Sequence, residues 1–503
     1  MKTYKYLILF SVVISVLLAG CESLEVKNEN DPDFKTAFSN PSDVKGVAGS
    51  LINAWFQTTQ EYDGPALMLW TGSDAGTCSW GNANMRWFSN EPRVAFDNTP
   101  AYTDAIVSEN YYAGLYSTLS YANDVMSKIA KEGMVFTADN GTDETPMVEA
   151  VARLSQGLTL GYLGLIYDKV FIVTENTDIT QTIATSPYTD VIDTALLFLD
   201  ECIDICASST FVLPSGWITG GTYDQDKIGE LANTVAALLM SYSPRSKAEN
   251  DAVDWTRVLG YANNGLTYDF TPECDGIKWY SYFQYYSYWG GWGQTDMRLV
   301  NMMDSRFPAR WTDADTWDIL PAPVSSHTDG IDDRIFTDFE FLDECGFRTE
   351  RGYYHFSCYR GTRQDDYIAN EFVGPTPVFL KAENDLLKAE ALLHTSGLVP
   401  AQTIINNGSR VSRGGLAPIG ATATEIENAI FYERNIELHT TGMGIEFFTM
   451  RKADKLQPGT PLHLPIPGQQ LEVNVMDYYT FGGLGAGQKG EPGVDVSAGG
   501  WFK

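Results

Sequence analysis

The strongest constraint on this chain is a spacing that recurs along it. In "PVFLKAENDLLKAEALLHTSG", Phe379, Ala382, Leu386, Ala389 and Leu393 follow at steps of 3, 4, 3 and 4, which lines them along one face of an α-helix. "TEIENAIFYERNIELHTTG" puts Ile426, Ala429, Ile430 and Glu433 on one side, behind Thr422 and Glu425 as a candidate capping box. Gly397 and Gly442 are expected to close these two helices, and "MGIEFFTMRKAD" to open another. The same periodicity runs through "PSDVKGVAGSLINAWFQTTQ", "YTDAIVSENYYAGLYSTLSYANDVMSKIAKEG", "PMVEAVARLSQGLTLGYLGLIYDKV" and "YTDVIDTALLFLDECIDICASS". "DKIGELANTVAALLMSYSP" pairs with "VDWTRVLGYANNGL". Ala152, Gly157, Gly161 and Gly164 stand where helices would approach closely. The expectation is a mostly α fold of paired helices with short turns, resembling tetratricopeptide units, though without a strict repeat of about 34 residues.

Periodicity dissolves in three places: about 60–103, about 265–375, and the Gly-rich segment 478–503. Long loops in a compact protein are functional or disordered, and these hold too many rings to be disordered. "KWYSYFQYYSYWGGW" at 278–292 gathers nine aromatic residues and no Val, Ile, Leu or Met. A buried strand or helix here would need a hydrogen-bond partner for every phenol. Central strands also favour Val and Ile, and Gly290, Gly291 and Gly293 argue for a loop. The functional alternative is a stacking surface. A flat ring covers the C–H face of a sugar while neighbouring phenols, amides and acids take its hydroxyls, with little side-chain entropy lost. Trp279, Tyr282, Tyr285, Trp289 and Trp292 are the ligand candidates in this stretch. "WTGSDAGTCSWGNANMRW" supplies a second set, Trp80 with Asp74 and Asn82. Packing of all these rings in the core or at a partner interface is the competing reading.

The formal charge of −31 repels nucleic-acid phosphates and anionic headgroups, and no Lys/Arg run offsets it. Nucleic acid is therefore excluded as a partner. Residues 1–20 pair Lys2 and Lys5 with an apolar run over 7–19. That run is shorter than the ~20 residues of a membrane span and fits a secretory signal. "LAGC" at 18–21 resembles the lipobox of bacterial lipoproteins, in which Cys21 would carry the acyl chains that anchor the mature protein. Removing 1–20 deletes two lysines and no acids, so the mature chain is more acidic still. Residues 21–40 read as anchor and leash, and 41–503 as a single fold with an N-terminal helical part to about 265 and a C-terminal part from 266.

Cys78, Cys202, Cys206, Cys274, Cys345 and Cys358 show no zinc-type CxxC spacing, and buried free thiols are the expectation. No HExxH, GxSxG or P-loop pattern occurs, His327, His355, His394, His439 and His463 are scattered, and no catalytic residue is assigned. No cofactor is expected. Asp313, Asp315 and Asp318 in "DADTWD" are a weak structural calcium candidate, lacking the Gly and terminal Glu of a calcium loop.

In order along the chain, "NPSDVKGVAGSLINAWF", "FLKAENDLLKAEALLHTSG", "AIFYERNIELHTTGMGIEFFTMRKADKL" and "LHLPIPGQQLEVN" resemble segments of the SusD/RagB family, surface nutrient-binding lipoproteins of Bacteroidetes. Met443 and Ile445 depart from its usual Gly-x-Arg pattern. The resemblance implies four tetratricopeptide-like helix pairs supporting a loop-rich ligand face, and a SusC-like TonB-dependent outer-membrane transporter as partner. It also implies a cell-surface location and an oligosaccharide, or sometimes peptide, ligand. On this reading the chain is a non-catalytic glycan-binding subunit; the alternatives are a peptide-binding subunit and a structural helical-repeat scaffold.

Overall fold

The computed structural model describes residues 38, 40–310, 330–343, 346, 348, 351, 355–484 and 495–501. The leader at 1–20, Cys21, most of the leash, His327, Cys345 and the Asp313, Asp315, Asp318 candidate lie outside the described residues. The chain divides into two compact units, Met1–Val44 and Lys45–Lys503; the second carries the features described below.

The expected helices are present. The principal ones are α1 (Pro41–Gln60), α2 (Ala66–Gly72), α3 (Ile106–Ala130), α4 (Thr145–Ile166), α5 (Tyr188–Ser208), α6 (Gln225–Tyr242) and α7 (Trp255–Asn263). After these come α8 (Tyr282–Tyr288), α9 (Lys381–His394), α10 (Leu398–Asn407), α11 (Ala423–Ile436) and α12 (Ile445–Lys452). Polar side chains start several of them: Asp224 accepts from the Lys227 N–H at 3.0 Å, Asp254 from the Arg257 N–H at 3.0 Å, and Thr422 from the Glu425 N–H at 3.3 Å. These satisfy donors that an open helix end leaves unpaired. The end of α9 differs in one detail from expectation. Gly397 donates the closing bond to Leu392 O at 2.7 Å, but Ser396, not glycine, takes the left-handed conformation at φ 66°.

Consecutive helices pack on one another from α3 to α7, then α7 on α9, and α9 on α10 and α11. Helix α4 is at the centre, buried without interruption from Leu154 to Ile166, as a helix apolar on every side must be. Its glycines let neighbours in. A Cβ at Gly157 would lie 2.6 Å from Leu199 of α5, and one at Gly161 2.5 Å from Leu239 of α6.

The irregular regions hold more structure than their sequence advertises. Among the described residues there are four two-stranded antiparallel ladders, built from β1 (Gly76–Thr77), β2 (Lys169–Phe171), β3 (Thr185–Pro187), β4 (Glu273–Asp275), β5 (Gln294–Thr295), β6 (Phe339–Phe341), β7 (Tyr359–Gly361) and β8 (Val373–Pro375). They pair β1 with β5, β2 with β3, β4 with β8 and β6 with β7. Helix α2, in a stretch read as irregular, is buried at every residue.

The segments that carried the family resemblance have structural work. Arg451 of α12 is 1% exposed; it donates to Leu165 O at 3.0 Å, Leu462 O at 2.8 Å and Tyr242 O at 2.8 Å. One guanidinium thus ties the C-terminal ends of α4 and α6, where carbonyls lack helical partners. Glu433 receives Arg334 at 2.7 and 2.9 Å, and Arg434 donates to Glu390 at 2.7 Å. Leu464 bonds across the end of α4, accepting from the Asp168 N–H and donating to Ile166 O. Cys78, Cys202, Cys206 and Cys274 are buried free thiols. No helix among the described residues is long and apolar enough to cross a membrane.

Candidate functional site

The ring-rich stretch forms neither loop nor strand over its central part: residues 282–288 are helix α8. Ser281 starts it, accepting from the Gln284 N–H at 3.1 Å while donating to Gln60 Oε1 at 2.7 Å. The buried side of α8 holds Phe283, Gln284, Ser287 and Tyr288. Gln284 donates to Thr440 O at 2.6 Å, Ser287 to Phe283 O at 2.7 Å, and the Tyr288 hydroxyl accepts from Thr440 Oγ1 at 2.9 Å. Tyr282, Tyr285, Tyr286 and Trp289 occupy the other face, one helical turn apart, and all are part-exposed or exposed. The helix therefore turns two polar side chains, Gln284 and Ser287, inward beside the rings of Phe283 and Tyr288, and sets a second group of rings outward. Inward polarity is tolerated because the Gln284 amide N–H and the Ser287 and Tyr288 hydroxyls find partners.

Outward, the rings touch in series. Tyr280 meets Tyr282 at 5.2 Å between centroids, Tyr285 stacks on Trp289 at 5.5 Å, and Tyr286 meets Trp292 at 5.4 Å. Trp289 and Trp292 lie 5.7 Å apart, and Trp80 continues the series 6.1 Å from Trp292. Tyr62 joins from the other side, 4.7 Å from Tyr286. Phe372 supports the surface, edge-on to Tyr282 at 5.6 Å and Tyr285 at 5.0 Å. Glu371 and Phe372 both adopt left-handed backbone, at φ 56° and 69°, a conformation costly for side chains of this size.

The β1–β5 ladder joins the two candidate stretches. Gly76 pairs with Thr295 and Thr77 with Gln294, and Trp70 of α2 fills the space behind: a Cβ at Gly76 would fall 2.1 Å from its ring and one at Gly293 2.6 Å. The Cys78 thiol donates to Trp292 O at 2.9 Å and accepts from the Trp80 N–H at 3.4 Å; burial pushes its pKa up to about 12, so it stays a thiol. The guanidinium groups of Arg348 and Arg351 lie 5.0 and 4.5 Å from the Trp80 ring centre.

Phenols and acids rim the surface. The Tyr280 hydroxyl donates to Glu61 Oε2 at 3.2 Å, and burial with the Glu61 charge pushes it up to about 12. Burial also raises Tyr62, against a hydrogen bond from Asn82, and raises Tyr286, helped by Tyr285, Tyr282 and Asp63. These three phenols are neutral at physiological pH, able both to donate and to accept.

Two sequence candidates do not belong to this surface. Trp279 is 3% exposed and packs on Phe56 of α1 at 4.9 Å. Asp74 is 1% exposed, takes Arg93 at 2.7 Å and the Trp501 indole N–H at 2.6 Å, and serves as a core ion pair. Burial pushes its carboxyl up, but Arg93, His355 and Trp501 together hold it below the usual range. Trp80, Asn82, Tyr282, Tyr285, Trp289 and Trp292 are brought together. Sequence reasoning passed over Tyr286, which helical spacing within the stretch would have found, Tyr280, which precedes the helix, and Tyr62 and Phe372, which carry no local signal. None of the described histidines stands among the outward rings of α8: His355 lies against Glu91 at 2.8 Å, His394 is stacked on Trp255, His439 lies beside Glu446 and His463 beside Asp495. Among the described residues no group of three or more His, Cys, Asp or Glu is placed to hold a metal.

No protein-family model matches this chain, and no curated protein matches it in sequence. Its fold matches solved structures. A SusD superfamily protein from Parabacteroides distasonis ATCC 8503 superposes with a TM-score of 0.57 at 14% identity, over 88% of this chain and 97% of that one. A SusD superfamily protein from Bacteroides fragilis gives 0.56 at 12% identity, over 88% of this chain and 100% of the other. A SusD-like carbohydrate binding protein from Bacteroides fragilis NCTC 9343 gives 0.56 at 13%, over 82% and 86%. The chain has the mostly α, SusD-like fold.

Proposed function

We propose that this chain, built on the SusD-like fold, is a surface glycan-binding subunit of the SusD/RagB family: it holds an oligosaccharide on the ring surface of α8 and passes it to a SusC-like TonB-dependent transporter. The observation that carries the reading is the outward face of α8. Tyr282, Tyr285, Tyr286 and Trp289 turn from the core while Phe283, Gln284, Ser287 and Tyr288 turn in. A surface of contiguous rings edged by neutral phenols and a few carboxylates suits the alternating apolar faces and hydroxyl rims of sugars. The carbohydrate-binding description of one fold neighbour agrees with it. Tethering follows from the lipobox-like "LAGC" ending at Cys21, which would hold the subunit at the outer membrane with its ligand face toward the medium.

Isothermal titration of the purified chain against a panel of oligosaccharides tests the reading. Binding of at least one glycan, lost on Trp289→Ala with Trp292→Ala, is the expected result. Absence of glycan binding together with binding of ordered peptides would replace the glycan by a peptide ligand.

A further inference from the structure

A separate cavity of about 250 Å³ lies between α9, α11 and α12, closed on one side by Lys247 and Asn250. Its volume suits one small molecule. In a chain of formal charge −31, its lining is cationic: Lys247, Arg434, Lys452 and Lys455 face the carboxylates Glu390 and Glu427, with His394 alongside.

Most of these charges are already matched. Glu390 takes Arg434 at 2.7 Å and Lys452 at 2.6 Å, and Lys247 pairs with Asp251 at 2.7 Å. Three donors are not. The half-buried Lys455 ammonium sits 4.0 Å from the centre of the Phe431 ring; the Glu427 carboxylate of the same lining supports its charge, against burial, without a direct bond to it. Arg434 Nε and Thr449 Oγ1 are buried without a hydrogen-bond partner, on side chains 1% and 2% exposed. Burial also holds Lys452 down to about 7, with Glu390 opposing and Arg434 reinforcing, so an added negative charge would relieve the local excess of positive charge. Leu393, Ile430 and Phe431 give the cavity an apolar wall.

We propose that this cavity binds a small organic carboxylate. Lys455 holds its charged end, and Leu393, Ile430 and Phe431 hold its apolar body. The site uses none of the rings of α8 and is independent of the glycan reading.

Sodium benzoate is the probe. Titration into the purified chain is expected to show saturable 1:1 binding, weakened roughly tenfold by Lys455→Met, which keeps the stem over Phe431 and removes the charge. Lys455→Gln, checked by its melting curve, is expected to behave alike. Benzamide keeps the ring without the charge, and inorganic phosphate keeps charge without a body; both are expected to bind at least about tenfold more weakly. Absence of saturable benzoate binding, unchanged affinity in folded Lys455→Met and Lys455→Gln, or equal binding of benzamide or phosphate would each overturn the proposal. Glycan titration of the same samples reads the α8 surface separately.

Discussion

Tyr285 and Trp289 stack one helical turn apart, with ring centroids 5.5 Å apart and planes 26° from parallel, and Trp289 leaves 41% of its surface open. A pair held so close loses little freedom when a ligand covers it, because each ring already limits the other.

Trp289→Ala is expected to weaken glycan binding by about 1–2 kcal/mol, roughly five- to thirtyfold in Kd, with little change in melting temperature. Trp279→Ala, ten residues earlier and 3% exposed, should do the reverse in denaturant titration, costing about 3–5 kcal/mol of stability. Equal effects on binding would remove the distinction between the two faces.

Asp74→Ala leaves Arg93 charged and buried without its partner. Unfolding by urea should show a loss of about 3–5 kcal/mol. Glycan affinity of the remaining folded protein should be unaltered, because Asp74 is sealed in the core rather than set among the rings.

Gly293→Ala would place a Cβ 2.6 Å from the Trp70 ring. Overpacking of this kind costs about 1–3 kcal/mol. The displaced segment carries Trp292, so calorimetry should record a lower melting temperature and titration a weaker glycan complex, both from a residue that contacts no ligand.

Glu383 supplies a pH dependence with a definite sign. Its carboxyl accepts from the Tyr242 hydroxyl at 3.2 Å, and burial pushes its pKa up to about 8. The unfolded chain gives up that proton near pH 4.3 while the folded chain keeps it, so this group's contribution declines as pH rises from about 4.3 to about 8. Glu383→Gln has no proton to lose. It should match the parent protein near pH 4.5 and exceed it by on the order of 4–5 kcal/mol at pH 8, measured by urea unfolding at several pH values.

Much of the helical body is legible in the sequence, because helix formation rests on local spacing and caps. The steps from Phe379 to Leu393, the Thr422 cap and the close-approach glycines of α4 can each be read from neighbours in the chain. The site is legible only in part. Trp80, Asn82, Tyr282, Tyr285, Trp289 and Trp292 come together as the concentration of rings suggested, whereas Trp279 and Asp74 turn inward. Composition cannot separate these groups, since an exposed and a buried tryptophan are the same residue. Helix α8 gave no helical period for a related reason: it carries rings on both faces, Phe283 and Tyr288 inward and Tyr282, Tyr285 and Tyr286 outward, so an apolar-inward template does not detect it.

By itself, the sequence determined that the chain would be mostly helical, strongly acidic and unusually rich in rings at 278–292, since periodicity, charge and composition are local or additive. Only the tertiary structure decided which face of α8 meets solvent. That choice is made by Gln60, Thr440 and Tyr367, distant in sequence, whose hydrogen bonds to Ser281 and Gln284 fix one side of the helix inside the protein and leave Tyr282, Tyr285 and Tyr286 to face outward.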